Sequence, residues 1–137
     1  MEDITHEIRS GVLTNRVNLI RATVNETTEL RILLDEQIAF GHSKIVIDLS
    51  QCTHLDSTFI GVLVVTQKKL LPKGGELKIV NPMDPAKELF YLTGISKVLN
   101  TYKTTEEAVK SFNNIIKPAE TISDEVIPKK NVAWTFK

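Results

Sequence analysis

The residues best equipped for chemistry lie in one short stretch, Cys52-Thr53-His54-Leu55-Asp56-Ser57-Thr58. A thiol, an imidazole, a carboxylate and hydroxyls within seven residues raise three possibilities: nucleophilic catalysis, metal binding and acceptance of a transferred group. Ser57 lacks the glycine-x-serine-x-glycine elbow that exposes a hydrolase nucleophile. His54, three residues ahead of it, comes with no oxyanion element, so no acyl-transfer constellation is present. Cys52 with His54 is too sparse for a zinc site, and His6 and His42 lie far off in the sequence. Neither a metal nor another cofactor is expected. Gly74-Gly75 precedes a strand and lacks the spacing of a Walker or dinucleotide loop.

What remains is Asp56-Ser57-Thr58, directly before a long apolar run. The plain reading is a helix N-cap, with Asp56 or Ser57 accepting from an unpaired backbone N–H. The functional reading is a modification site. A phosphate on Ser57 would add about −1.5 to −2 charges beside Asp56, and a helix N-terminus tolerates such charge. A partner packed there would meet a hydrated dianion in place of a small hydroxyl. Pattern alone favours the cap.

The elements that must position this stretch can be read outward from it. Lys44–Leu49 contains Ile45-Val46-Ile47 without alternation, as in a parallel strand covered on both faces. Phe59–Leu71 reads as a buried helix that emerges at Thr66-Gln67-Lys68-Lys69. Gly61 costs about 1 kcal/mol inside a helix, and close packing on the sheet would compensate. Upstream, Ile8–Leu13 and Val17–Ala22 predict a hairpin turning at Thr14-Asn15-Arg16. Asn25–Gly41 predicts a surface helix, with Leu30, Leu33, Leu34 and Ile38 on one stripe. Asn25, Thr27 or Thr28 would cap it, and Gly41 would close it. Downstream, Pro72–Gly75 is a turn and Glu76–Val80 a strand. Asp84 caps a third helix with Pro85 at its first position, and Gly94 stops it. A short strand is expected around Val98 and Leu99. Thr104-Thr105-Glu106-Glu107 then opens a fourth helix with a capping box. Strands alternating with helices predict an α/β domain with a partly parallel sheet.

At 137 residues the chain is most simply one domain, and folding at this size buries roughly two-thirds of the unfolded surface. Seventeen basic and seventeen acidic residues cancel, which argues against direct nucleic-acid binding. The single cysteine rules out an internal disulfide framework and suits a reducing cytoplasm. MEDITHEIRS has early acids and no apolar core, so no secretory signal is expected, and no apolar run approaches the roughly 20 residues of a membrane span. The stretch Pro118–Lys137 changes character and carries the only tryptophan, Trp134. It reads as an appendage that docks on its own domain or on a partner. The expected division is a domain over 1–117 and a C-terminal extension over 118–137.

Ile45-Val46-Ile47-Asp48-Leu49-Ser50, followed by Leu55-Asp56-Ser57-Thr58 and Gly61, resembles the STAS domain of bacterial anti-sigma factor antagonists. The family pattern is an apolar strand ending Asp-Leu-Ser, then Asp-Ser-Ser/Thr-Gly-Leu-Gly. The likeness continues through Gly74-Gly75-Glu76-Leu77-Lys78-Ile79-Val80-Asn81-Pro82, Leu92-Thr93-Gly94-Ile95 and Thr104-Thr105-Glu106-Glu107-Ala108, and spans roughly residues 5 to 115. It departs in two places. Phe59-Ile60 stands where the pattern has Gly-Leu, making the helix start bulkier. Arg21-Ala22-Thr23-Val24-Asn25 stands where the family has Gly-Glu-Leu-Asp.

The resemblance implies a STAS fold, a mixed β-sheet of about four to five strands with about four helices, and no enzymatic activity. It implies an antagonist that sequesters an anti-sigma factor serine kinase and so releases a sigma factor, with a serine phosphatase resetting it. Ser57 is then the phosphorylated residue and Thr58 the alternative acceptor. Asp56, Ser57, Thr58, Phe59, His54, Thr23 and Asn25 form the expected partner surface. The protein would be cytoplasmic, a monomer or weak dimer. Related domains also serve as structural subunits of stressosome-like, receptor-coupled or phospholipid-transport assemblies without a phospho-switch, which is the alternative. With the resemblance added, the balance at Ser57 moves from cap alone to cap and switch together.

Overall fold

The computed structural model describes residues 3–113. A five-stranded mixed sheet forms the centre, built from β1 (Ile4–Arg9), β2 (Val12–Val17), β4 (Lys44–Asp48), β6 (Glu76–Val80) and β7 (Asn100–Tyr102), in that spatial order. The β1–β2 pair is antiparallel and every other pairing in this sheet is parallel. Two two-residue strands, β3 (Arg21–Ala22) and β5 (His54–Leu55), pair in parallel as a separate small sheet. The helices are α1 (Val24–Ala39), α2 (Ser57–Leu70), α3 (Ala86–Leu92) and α4 (Thr105–Asn113).

The unalternating Ile45-Val46-Ile47 is explained by layers on both faces of the sheet. Ile45 and Ile47 join the larger core with Leu77, Ile79, Leu34 of α1 and Leu63 of α2. Val46 points the other way, into a smaller cluster with Val12, Val80 and Val109 and Phe112 of α4. A strand with two dry faces cannot spare positions for polar residues, so period-2 patterning disappears.

Several boundaries differ from the sequence expectation. The hairpin turns at Ser10-Gly11, whose φ values of 50° and 78° are both left-handed, as a tight two-residue turn requires. Thr14 and Asn15 are strand residues. The Thr14 hydroxyl donates to the Glu7 carbonyl at 3.0 Å. The Asn15 amide exchanges two hydrogen bonds with Gln37 of α1, at 3.0 and 2.7 Å. Buried polar side chains that are paired in this way imitate a turn in the sequence. The run Val17–Ala22 is not one strand: Val17 ends β2, and Arg21–Ala22 leaves for β5.

Helix α1 is capped by Thr23 rather than by Asn25, Thr27 or Thr28. The Glu26 carboxylate accepts from the Thr23 backbone N–H at 2.8 Å, the return half of a capping box. Gly41 has φ 96°, as expected for the residue that closes the helix. Asp84 does not cap α3. The segment before that helix is held instead by the 52–53 loop, Met83 N–H donating to the Cys52 carbonyl and Ala86 N–H to that of Thr53. The last strand lies at Asn100–Tyr102, and a 3-10 turn at Ile95–Lys97 leads toward it. In α4 the Thr104 hydroxyl accepts from the Glu107 N–H at 3.1 Å, as the expected box requires, while the Glu107 carboxylate accepts from Lys103. Gly61 does not touch the sheet; a Cβ there would meet open space. The region around Trp134 lies outside the described residues.

Candidate functional site

The strand β4 ends where its apolar run ends, at Asp48, whose carboxylate accepts from the Ser50 N–H at 2.9 Å and the Thr105 hydroxyl at 3.0 Å. The chain then passes Cys52 and forms β5 against β3. Backbone bonds fix this connection: Thr53 and His54 N–H donate to the Ile20 carbonyl, and Asp56 N–H donates to that of Ala22. The loop that presents Ser57 is therefore stitched to the segment leading into α1.

Asp56 is the N-cap of α2. One carboxylate oxygen accepts from the Phe59 N–H at 2.9 Å. The other oxygen accepts from the Val24 N–H, the first residue of α1, at 2.8 Å. A single carboxylate thus satisfies donors at the starts of two helices, where the helix dipoles favour negative charge. Ser57 follows as the first residue of α2 and is exposed. Of the two sequence candidates for the cap, Asp56 takes the role and leaves the Ser57 hydroxyl clear of the capping bond.

The expected partner residues separate into those the fold brings together and one it removes. Thr23 and Asn25 lie at the start of α1 and His54 in β5, all on the segments that β3–β5 pairing and Asp56 hold beside Ser57. His54 is exposed, its Nδ1 2.8 Å from the Thr53 hydroxyl. Thr58 is exposed as well, but lines the groove between α1 and α2 with Gly61 and Val62. Phe59 corrects the expectation. It is 0% exposed and packs in the main core, so its bulk fills the interior and presents nothing to a partner. Two contributors carry no sequence signal: the Val24 backbone N–H, which Asp56 holds, and the Ile20 carbonyl, which accepts from the Thr53 and His54 N–H groups.

Cys52 takes no part in surface chemistry. It is fully buried, and burial, with a further contribution from Asp48, pushes its thiol up to about 12. A protonated, enclosed thiol is neither a nucleophile nor a metal ligand at neutral pH. Among the described residues no group of three or more His, Cys, Asp or Glu side chains could hold a metal ion. Nor is any helix among them long and apolar enough to cross a membrane. Beside the Ser57 loop, an open groove of about 260 Å³ runs between Thr53–Leu55 and the Ala86, Leu89 and Leu92 side of α3.

The sequence model of the STAS domain matches residues 6–108, which takes in the sheet from within β1 onward and every element around Ser57. The chain belongs to the STAS domain family. A Thermotoga maritima protein provisionally named an anti-sigma factor antagonist is 30% identical over 78 residues, covering 57% of this chain and 69% of that protein. Among solved STAS-like structures, an anti-sigma factor antagonist from Mycobacterium paratuberculosis superposes with a TM-score of 0.72 at 25% identity, over 80% of this chain and 92% of the other. The Bacillus cell fate determinant SpoIIAA in its phosphorylated form superposes with a TM-score of 0.63 at 17% identity, over 80% and 98%. That last likeness is one of fold. The mixed sheet with four α-helices agrees with the STAS architecture expected from the sequence.

Proposed function

We propose that this STAS domain is an anti-sigma factor antagonist without enzymatic activity, and that Ser57 is its phosphorylation switch. One observation carries the reading. Asp56 alone caps α2, so the exposed Ser57 hydroxyl beside it can be modified without dismantling the helix start. Unmodified, the surface around Thr23, Asn25, His54 and Ser57 binds a serine kinase that also binds a sigma factor, and the sigma factor is released. Phosphorylation places about −1.5 to −2 charges in that surface, and the kinase lets go. A serine phosphatase restores the hydroxyl. Family membership and the names of the relatives support this reading.

The test uses the anti-sigma kinase of the same organism with ATP. Phosphopeptide mapping should place the phosphate on Ser57, and calorimetry should show Ser57→Asp binding the kinase far more weakly than Ser57→Ala. Modification elsewhere, Thr58 included, would refute the site. Equal affinity of the two variants would refute the switch and favour a constitutive structural subunit.

A further inference from the structure

The Asp56 carboxylate does more than cap one helix. Its two oxygens hold two elements at once, Phe59 of α2 at 2.9 Å and Val24 of α1 at 2.8 Å. Asp56 and Val24 lie 32 positions apart. Among the described residues the other hydrogen bonds between the two segments are backbone bonds of the short β3–β5 ladder and its flanks, and a 3.4 Å bond from the Thr53 hydroxyl to the Ile20 carbonyl. The chain on the α1 side carries Ile20 and Val24, which are 60% and 58% exposed. The surface beside Ser57 is therefore made of two pieces, and Asp56 is the side chain that fastens the start of α1 to the start of α2.

We propose that Asp56 couples the charge state of Ser57 to the start of α1: a phosphate on Ser57 loosens the Asp56–Val24 bond, so modification alters both pieces of the surface. This deepens the phospho-switch reading and rests on it. The physical basis is competition. Ser57 is the residue next to Asp56, so its phosphate would stand as a second anion at the same helix start. Like charges at that separation repel, and the phosphate oxygens compete for the N–H groups of the first turn of α2. The Phe59 bond is local to that turn and geometrically confined. The Val24 bond crosses between elements, and an N–H released from it can be taken up by water. The bridge is the contact that yields.

Asparagine separates the two jobs of Asp56. It is as good an N-cap as aspartate, so Asp56→Asn keeps an oxygen for Phe59 while offering an NH2 to Val24, which cannot accept. The experiment is amide hydrogen exchange by NMR on the full chain, with phosphoserine installed at position 57 during synthesis so that no kinase is needed. Phosphoserine should speed exchange at Val24 about tenfold, as expected for losing one charge-assisted hydrogen bond, with Leu34 and Leu63 unchanged. Asp56→Asn should speed Val24 to a similar degree without phosphate and abolish any further response to it. Unchanged Val24 exchange in the phosphoserine protein, or an undiminished response in Asp56→Asn, would overturn the coupling. Failure of a kinase to modify Ser57 would count against the function and leave this result standing.

Discussion

Alanine at Asp56 and alanine at Ser57 should have unequal costs. Asp56→Ala removes a cap and the bond to α1, and should lower stability by about 1–2 kcal/mol. Ser57→Ala should stay within about 0.5 kcal/mol of the parent, because Ser57 is not the cap. Urea denaturation of the two variants measures the difference, and equal losses would contradict the assignment of the cap. A second residue-scale expectation concerns Cys52, whose folded pKa of about 12 lies above its ordinary value of 9.0. Below about 9 both states hold the proton. Between about 9 and about 12 the unfolded chain releases a proton that the folded chain keeps, so stability falls as pH rises through that window. Cys52→Ala should lose this part of the alkaline decline when urea midpoints are compared across it. At this scale the sequence was informative wherever the physics is local. Asp56 and Phe59 are three apart, the spacing of a cap. Val24 was not legible, because a backbone N–H has no residue signature and its partner lies 32 positions away.

Between elements, the Asn15–Gln37 pair deserves an experiment because it is both buried and reciprocal. It ties α1 to β2 with two hydrogen bonds, in addition to the apolar contacts of the main core. Gln37→Leu should strand the Asn15 amide and cost about 1–3 kcal/mol. Adding Asn15→Leu should recover much of that loss, because two leucines need no partners. A double-mutant cycle in urea reads the coupling; additive losses would mean that the pair is not a unit. The same pair shows why element boundaries were misplaced. Thr14 and Asn15 look like turn residues, yet each has a partner supplied by tertiary structure. The real turn, Ser10-Gly11, is signalled by one glycine and by backbone angles that no hydrophobic pattern reports. The long apolar runs of β4, α2 and β6 were placed well, since burial on a sheet leaves little freedom in composition. The two-residue strands β3 and β5 were invisible, being too short to show any period.

At the scale of the molecule, the sheet divides a thick layer from a thin one. Among the described residues, helices α1, α2 and α3 close the larger core, whereas α4 is the one helix on the opposite face, through Ala108, Val109 and Phe112. Under α4 lies a buried lysine, Lys78, whose ammonium donates to the Ser111 hydroxyl at 2.7 Å and sits 4.2 Å from the centre of the Phe112 ring. Phe112→Ala should therefore cost about 3 kcal/mol. Amide exchange should then show α4 losing protection while Leu34 and Leu63 retain theirs; uniform loss would mean that the two layers unfold as one. The layered plan was legible from the order of strands and helices, and the unequal thickness was not, because it depends on which face of each strand is covered. The bridge from Asp56 to Val24 has a consequence in time as well as in space. Two stretches distant along the chain must close a long loop before the surface around Ser57 exists, and such non-local contacts form slowly relative to local ones. A peptide containing Ser57, or a chain caught before β3 has met β5, carries the serine without its setting. Any partner that reads both stretches is reading completed folding along with the state of the hydroxyl.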